Sequence, residues 1–301
     1  MLGKYKNIFK LVFSLKRIEK KTDDLLLLTA QSTIRENNKL EDFRSLHEVE
    51  FKVYSQWGDD GIIQYLIHKL QLTNKTFIEF GVENYRESNT RFLLINNNWR
   101  GLVFDGSEKH IDTIQQDDIY WRHDITAKHA FITRDNINGL LTENYFTGPV
   151  GLLHIDIDGN DYWVWEAINV VTPDIVIMEY NALFGKEKAV TIPYQADFTV
   201  GKAHYSRLYF GASLKSLVTL AKQKGYFFVG CNSAGVNAYF ISNKFKGVVR
   251  EVTLDEGYVM SSTRQARDAN GNLSFLSGTA GAGLLKGLEV YNVETGNKEP
   301  F

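Results

Sequence analysis

Thr76-Phe-Ile-Glu-Phe-Gly-Val-Glu-Asn84 and, one strand later, Gly101-Leu-Val-Phe-Asp105 decide how this chain folds. Each is a short apolar run that reaches a carboxylate, Glu79 or Asp105. The first passes directly into a glycine turn and a helix start at Ser88-Asn89-Thr90. In an open α/β sheet, ligands bind outside the carboxyl ends of the strands, where the winding reverses. Carboxylates at two successive strand ends suit a ligand that offers an ammonium and a ribose diol. That is the outline of a nucleoside-containing cofactor site. Gly81 allows a tight turn and close backbone approach, and the helix start behind it adds free N–H groups and positive potential.

Working outward, further strands are expected at 119–122, 150–156, 174–180, 226–230 and 237–242. Helical spacing separates them at 88–97, 107–115, 127–143, 161–169 and 212–224. A helix capped by Ser55 or Asp59, carrying Ile62, Ile63, Leu66, Ile67 and Leu70, leads into the first strand. Such alternation argues for a parallel sheet covered on both faces. The link Cys231-Asn-Ser-Ala-Gly-Val236 is too short for a helical crossover, so the last two strands should pair antiparallel. The expected architecture is a three-layer αβα sandwich with a mostly parallel seven-stranded sheet and a terminal antiparallel hairpin. It occupies 51–250, between a basic amphipathic helical appendage and connector (1–50) and an irregular extension (251–301). Gly278-Thr-Ala-Gly-Ala-Gly283 reads as a loop.

The 301 residues carry 34 basic and 36 acidic side chains, so no global positive field invites nucleic acid. The single cysteine, Cys231, excludes an internal disulfide, fits a reducing compartment and reads as a buried structural thiol. No apolar run approaches the roughly 18–20 residues of a membrane span, and a cytoplasmic location is expected. In residues 1–35, Lys4, Lys6, Lys10, Lys16, Arg17, Lys20 and Lys21 accompany an apolar stripe of Ile8, Leu11, Val12, Leu15 and Ile18. Heptad-like spacing makes this a packing or oligomerising helix, and a homo-oligomer is expected. A basic amphipathic helix also suits the anionic inner face of a membrane as a peripheral contact.

A second constellation is His154-Ile-Asp156-Ile-Asp158-Gly-Asn-Asp161, with Glu179-Tyr-Asn181 at the end of the next strand. Strand alternation places His154, Asp156 and Asp158 on one face. Buried carboxylates must be paired, protonated or bound to a cation. Asp158 or Asp161 capping the next helix explains one of them. Asp156, Glu179 and Asn181 form an oxygen-rich set suited to Mg²⁺ or Mn²⁺, and a polar lining for a substrate cleft fits them equally. His204, with Tyr205 and Arg207, could line the same cleft.

Taken together, Glu79-Phe-Gly81, Asp105, Asp124, His154-Ile-Asp-Ile-Asp-Gly159 and Pro173-Asp-Ile-Val-Ile-Met-Glu179 resemble FkbM-type class I methyltransferases. Tyr209-Phe-Gly-Ala-Ser-Leu214, Lys224-Gly-Tyr226 and Asn237-Ala-Tyr-Phe-Ile241 are similar to that family's last helix and terminal hairpin. The resemblance spans roughly residues 50–245 and implies a Rossmann-like fold with S-adenosylmethionine as cofactor. It further implies that Glu79 and Gly81 hold the methionine end and Asp105 the ribose, with Asn84, Gly106 and Ser107 also among the cofactor-binding residues. Asp124 and Ile125 would hold the adenine, Asp156 would lie beside the sulfonium, and Ser55-Gln56 would close over the cofactor. The family's glycine pattern E-x-G-x-G-x-G is broken here, with Glu83 and Tyr85 in the second and third glycine places.

The implied activity is O-methylation of a carbohydrate hydroxyl in a glycan or surface-polysaccharide precursor, with Asp156, Asp158 or His204 as base. One rival is a glycosyltransferase in which Asp156-x-Asp158 holds Mn²⁺ and a sugar diphosphate. Another is a non-catalytic binding module, suggested by Glu83 and Tyr85.

Overall fold

The structure, a computed structural model, describes the backbone of residues 2–40 and 44–301, and the side chains of 14, 15, 17, 18, 20–40 and 44–301. The chain divides into two compact units, Met1–Asp42 and Phe43–Phe301. The first is one helix, Leu2–Asn37. Of its expected apolar stripe, Leu15 and Ile18 are exposed, while the side chains of Ile8, Leu11 and Val12 lie outside the described residues. No helix among the described residues is long and apolar enough to cross a membrane.

The second unit is built on β1 (Thr76–Phe80), β2 (Arg100–Asp105), β3 (Ile125–His129), β4 (Gly148–Ile155), β5 (Val171–Glu179), β6 (Val190–Thr191), β7 (Tyr226–Cys231), β8 (Asn237–Ser242), β9 (Glu289–Asn292) and β10 (Asn297–Pro300). Seven of these form a sheet in the order β3-β2-β1-β4-β5-β8-β7. All neighbours are parallel except β8, which runs antiparallel to both β5 and β7. The fold is the expected Rossmann-like sheet with its terminal antiparallel hairpin. β1, β4 and β5 read as nearly unbroken apolar runs because helices cover both faces. Trp165, on the helix Asp161–Ala167, packs its ring against Tyr226 and Phe240 of the hairpin strands.

Winding reverses between β1 and β4, whose register sets Glu79 beside His154 and Phe80 beside Ile155. Phe80 also pairs with Phe104 of β2, and Ile155 with Met178 of β5. Gly81, Asp105, Asp156 and Glu179 therefore end at one edge of the sheet, the edge where ligands bind in such folds.

Four expectations are corrected. Residues 119–122 are helical, not a strand, because Asp117 accepts the Ile119 N–H at 2.9 Å and caps the helix Asp118–Arg122. The third strand is instead Ile125–His129, and the expected helix over 127–143 shrinks to Ile137–Glu143. Beyond residue 250 the chain is not wholly irregular. β9 pairs with β6 and with β10, and Val290 joins Val190, Ile192 and Leu285 in a second core. Gly278–Gly283 is a short helix rather than a loop. Cys231 is buried as expected, and burial pushes its thiol pKa up, which makes it a poor nucleophile.

Candidate active site

Gly81 opens the turn after β1 with φ +75°, where a Cβ would sit 1.7 Å from the Asp156 carbonyl oxygen. Only glycine fits there. Glu83 (φ +47°) and Tyr85 (φ +61°) stand in the second and third glycine places and take the left-handed conformation despite their side chains. Each costs about 1–2 kcal/mol, and the surroundings enforce both. The Glu83 N–H donates to Asp105 Oδ2 at 2.7 Å, and the fully buried Tyr85 hydroxyl bonds Thr90 Oγ1 at 2.9 Å. Asn84 between them, expected among the cofactor-binding residues, has no positive φ, and its Oδ1 accepts the Arg86 N–H. Glu83→Gly should therefore leave the melting temperature nearly unchanged, since relief of strain offsets the added freedom of the unfolded chain. Glu83→Val should lower it, because a β-branched residue resists positive φ. Equal melting curves for the two variants would refute the constraint.

Both carboxylate oxygens of Glu79 are bonded within the protein. Its Oε1 takes the Asn89 N–H at 3.0 Å and His154 Nδ1 at 2.8 Å; its Oε2 takes Ser88 Oγ, Thr90 Oγ1 and the Thr90 N–H. Burial opposes charge on both Glu79 and His154, but their mutual hydrogen bond and attraction outweigh it. The Glu79 pKa falls and the His154 pKa rises, as in a buried ion pair. This pair clamps Ser88-Asn89-Thr90, which is why the following helix begins only at Arg91.

A cavity of about 420 Å³ opens at the strand ends. Its walls include Gln56, Gly81, Asp105, Gly106, Asp156 and Asp158, all anticipated from the sequence. Asp105 Oδ1 is held by the Ser107 N–H at 2.8 Å and His110 Nδ1 at 3.0 Å, so Ser107 supports the site from behind. Ser55 is also a support: fully buried, it donates to the Trp57 carbonyl and accepts the Asp60 N–H. Asp124 and Ile125 lie at the opposite end of the sheet, because β3 begins at Ile125 and the Gly101 N–H bonds the Asp124 carbonyl. In their place Ala130, Phe131 and Ile132, just past β3, line the cavity. Glu83, Glu87, Asn160 and Phe198 do so too, and the sequence reading missed all of these.

Asp156, Asp158 and Glu179 bring carboxylate oxygens within 4.8 Å of one another. Burial first, then the neighbouring Asp158 charge, pushes Asp156 up to about 7. Glu179 rises well above its ordinary value through burial and the charges of Asp156 and Asp158, and Asp158 rises through burial and Glu83. The raised values of Asp156 and Glu179 together favour one proton shared between them. Asp161 stands apart: its carboxylate accepts the Ile157 and Gly159 N–H groups at 2.8 and 2.9 Å and shapes the loop.

Asn181 is not among these ligands. Its Oδ1 accepts the Leu183 N–H, and its Nδ2 donates to the Leu208 and Phe210 carbonyls. Asp158 takes its place in the oxygen cluster. His204 is absent from the cavity walls, with Nδ1 against Ser206 Oγ at 2.7 Å and its ring on Tyr205.

No protein-family model and no curated protein matches the chain. Among solved structures it is similar to the N-terminal domain of EvdMO1 in the presence of SAH and D-fucose, with 9% identity over 70% of this chain and 95% of that one, at a TM-score of 0.39. It is similar to the O-methyltransferase from Bacillus cereus in complex with SAH, with 14% identity over 70% and 89% and a TM-score of 0.37. An S-adenosylmethionine-dependent methyltransferase from Clostridium acetobutylicum ATCC 824 gives 11% identity over 64% and 92% and a TM-score of 0.41. Likenesses this distant say nothing of the chemistry here.

Proposed function

We propose that the protein is an S-adenosylmethionine-dependent O-methyltransferase acting on a carbohydrate hydroxyl. The observation that carries this reading is the polarity of the strand-end cavity. Among the described residues, six carboxylates line it (Glu83, Glu87, Asp105, Asp156, Asp158 and Glu179) and no lysine, arginine or histidine does. Such a wall attracts a ligand bearing ammonium and sulfonium charges and offers acceptors to a ribose diol. This cavity by itself offers no basic group to a sugar diphosphate. Two buried acceptors on this wall, Asn160 Oδ1 and Glu179 Oε2, have no protein partner, although Asn160 is 3% exposed. Buried acceptors of this kind require a donor, and a ligand ammonium or hydroxyl supplies one.

S-adenosylmethionine, when bound, supplies an electrophilic methyl group. The chain's own residues do the rest. Asp105 would take the ribose hydroxyls, Phe131 and Ile132 would flank the base, and Gly81 would let the backbone approach the methionine end. Ionised Asp156 would accept the proton of the acceptor hydroxyl, and positioning of that hydroxyl would provide much of the rate. The close approach of Asp156, Asp158 and Glu179 also suits a second form of the same reaction, in which these three would hold Mg²⁺ or Mn²⁺ and the cation would lower the pKa of the hydroxyl.

Calorimetric titration with S-adenosylhomocysteine tests the assignment. Asp105→Ala removes charge-assisted hydrogen bonds of roughly 1.5–3 kcal/mol each, so affinity should fall at least tenfold. Unchanged affinity would sink the cofactor assignment.

A further inference from the structure

A second cavity, of about 530 Å³, adjoins the first, and Gln56, Asp158, Glu179 and Gln265 line both. Its polarity is different. Arg207, Arg264 and Arg267 all line it, none of them lines the first cavity, and among the described residues its only acids are the shared Asp158 and Glu179. The fold gathers these arginines from distant parts of the chain. The Arg267 N–H bonds the Ser206 carbonyl at 3.1 Å, which sets residues 206–207 alongside 267. Arg207 is held at φ +58°, a conformation unusual for a side-chain-bearing residue. Arg267 is anchored by an Nη1 bond to the Gly271 carbonyl at 2.8 Å. Among the described residues, the guanidinium groups of Arg207 and Arg264 make no ion pair or hydrogen bond.

Three arginines line this one cavity, and two of them, exposed Arg207 and Arg264, leave their guanidinium groups unpaired among the described residues, an arrangement that suits an anion of more than one charge. Guanidinium forks match phosphate oxygens two at a time. We propose that the acceptor is a phosphorylated carbohydrate, its phosphate held by Arg207, Arg264 and Arg267 and its hydroxyl presented at the shared wall to the Asp156–Asp158–Glu179 cluster. This rests on the methyltransferase reading for the role of the hydroxyl, but the arginine site stands on its own geometry. The phosphate can belong to a simple sugar phosphate or to a nucleoside diphosphate sugar.

Calorimetry without divalent cations tests this, using protein saturated with S-adenosylhomocysteine and, in parallel, protein without it. The probes are glucose, glucuronic acid, glucose 1-phosphate, UDP-glucose and inorganic pyrophosphate. The phosphorylated probes should bind at least tenfold more tightly than glucose, and more weakly as salt rises. The double variant Arg207→Gln/Arg264→Gln should lose at least tenfold for them while its affinity for S-adenosylhomocysteine holds. Tighter binding of UDP-glucose than of glucose 1-phosphate assigns the nucleotide sugar; equal binding assigns the simple ester. The proposal is overturned if no phosphorylated probe binds, if glucose or glucuronic acid binds as well as glucose 1-phosphate, or if the double variant binds unchanged. Failure of S-adenosylhomocysteine to bind would defeat only the methyltransferase reading, because the phosphate titrations also run without it.

Discussion

Asp156→Asn is expected to cut turnover by about 10²–10⁴-fold, the usual worth of a positioned base, and to raise the melting temperature at pH 8. The two effects share a cause. Burial and Asp158 raise the Asp156 pKa to about 7 from an ordinary 3.8. A raised carboxylate favours folding while it keeps its proton and loses that advantage as pH climbs through the folded value. The native protein should therefore lose stability between about pH 4 and 7 from this group, and the asparagine variant should not. A gain of roughly 1–2 kcal/mol at pH 8 would read as several degrees in a protein of this size.

Wild-type kcat/KM should rise with pH to a plateau, with an inflection near 7 that belongs to the coupled carboxylates jointly. That inflection should vanish in the variant. Activity that survives a chelator goes with the shared proton; activity lost to a chelator and restored by Mg²⁺ places the cation among Asp156, Asp158 and Glu179. A fully active asparagine variant excludes Asp156 from both roles.

Gly81→Ala is expected to abolish S-adenosylhomocysteine binding. The added methyl carbon would lie 1.7 Å from the Asp156 carbonyl oxygen, a backbone atom with no rotamer to escape into. The residue would also have to keep φ +75°. Relief requires moving either the turn or the Asp156 loop, and both line the cofactor cavity. Overpacking of this kind costs about 1–3 kcal/mol, and the positive φ adds to it. Calorimetry should show no binding to a protein that circular dichroism still finds folded; wild-type affinity would mean the two backbones are not in close contact.

The strands that frame the site were legible because a buried parallel strand is an apolar run with a polar end, as in Thr76–Phe80, Gly148–Ile155 and Val171–Glu179. The third strand was not. Ile119-Tyr-Trp-Arg122 has the β-branched and aromatic content of a strand, and the Asp117 cap overrode it. Displacing that strand moved Asp124 to the wrong end of the sheet and hid Phe131. The role of Glu79 was invisible for another reason: its partner His154 lies 75 residues away, and only the β1–β4 register brings them together. Tyr85 looked like a defect in a glycine pattern, yet its buried hydroxyl is part of what holds the turn. Asn181 and His204 have suitable chemistry for a site, but local hydrogen bonds occupy them.

The clamp that Glu79 and His154 place on Ser88-Asn89-Thr90 bears on the thermodynamics of ligand entry. Fixing a flexible residue costs about 1–2 kcal/mol in backbone entropy, and the stretch from Gly81 to Thr90 has neither helix nor strand to order it. Here the ordering is completed when the chain folds. The heat-capacity change on cofactor binding should then scale with the apolar surface of the ligand alone, with no added contribution from a loop condensing around it.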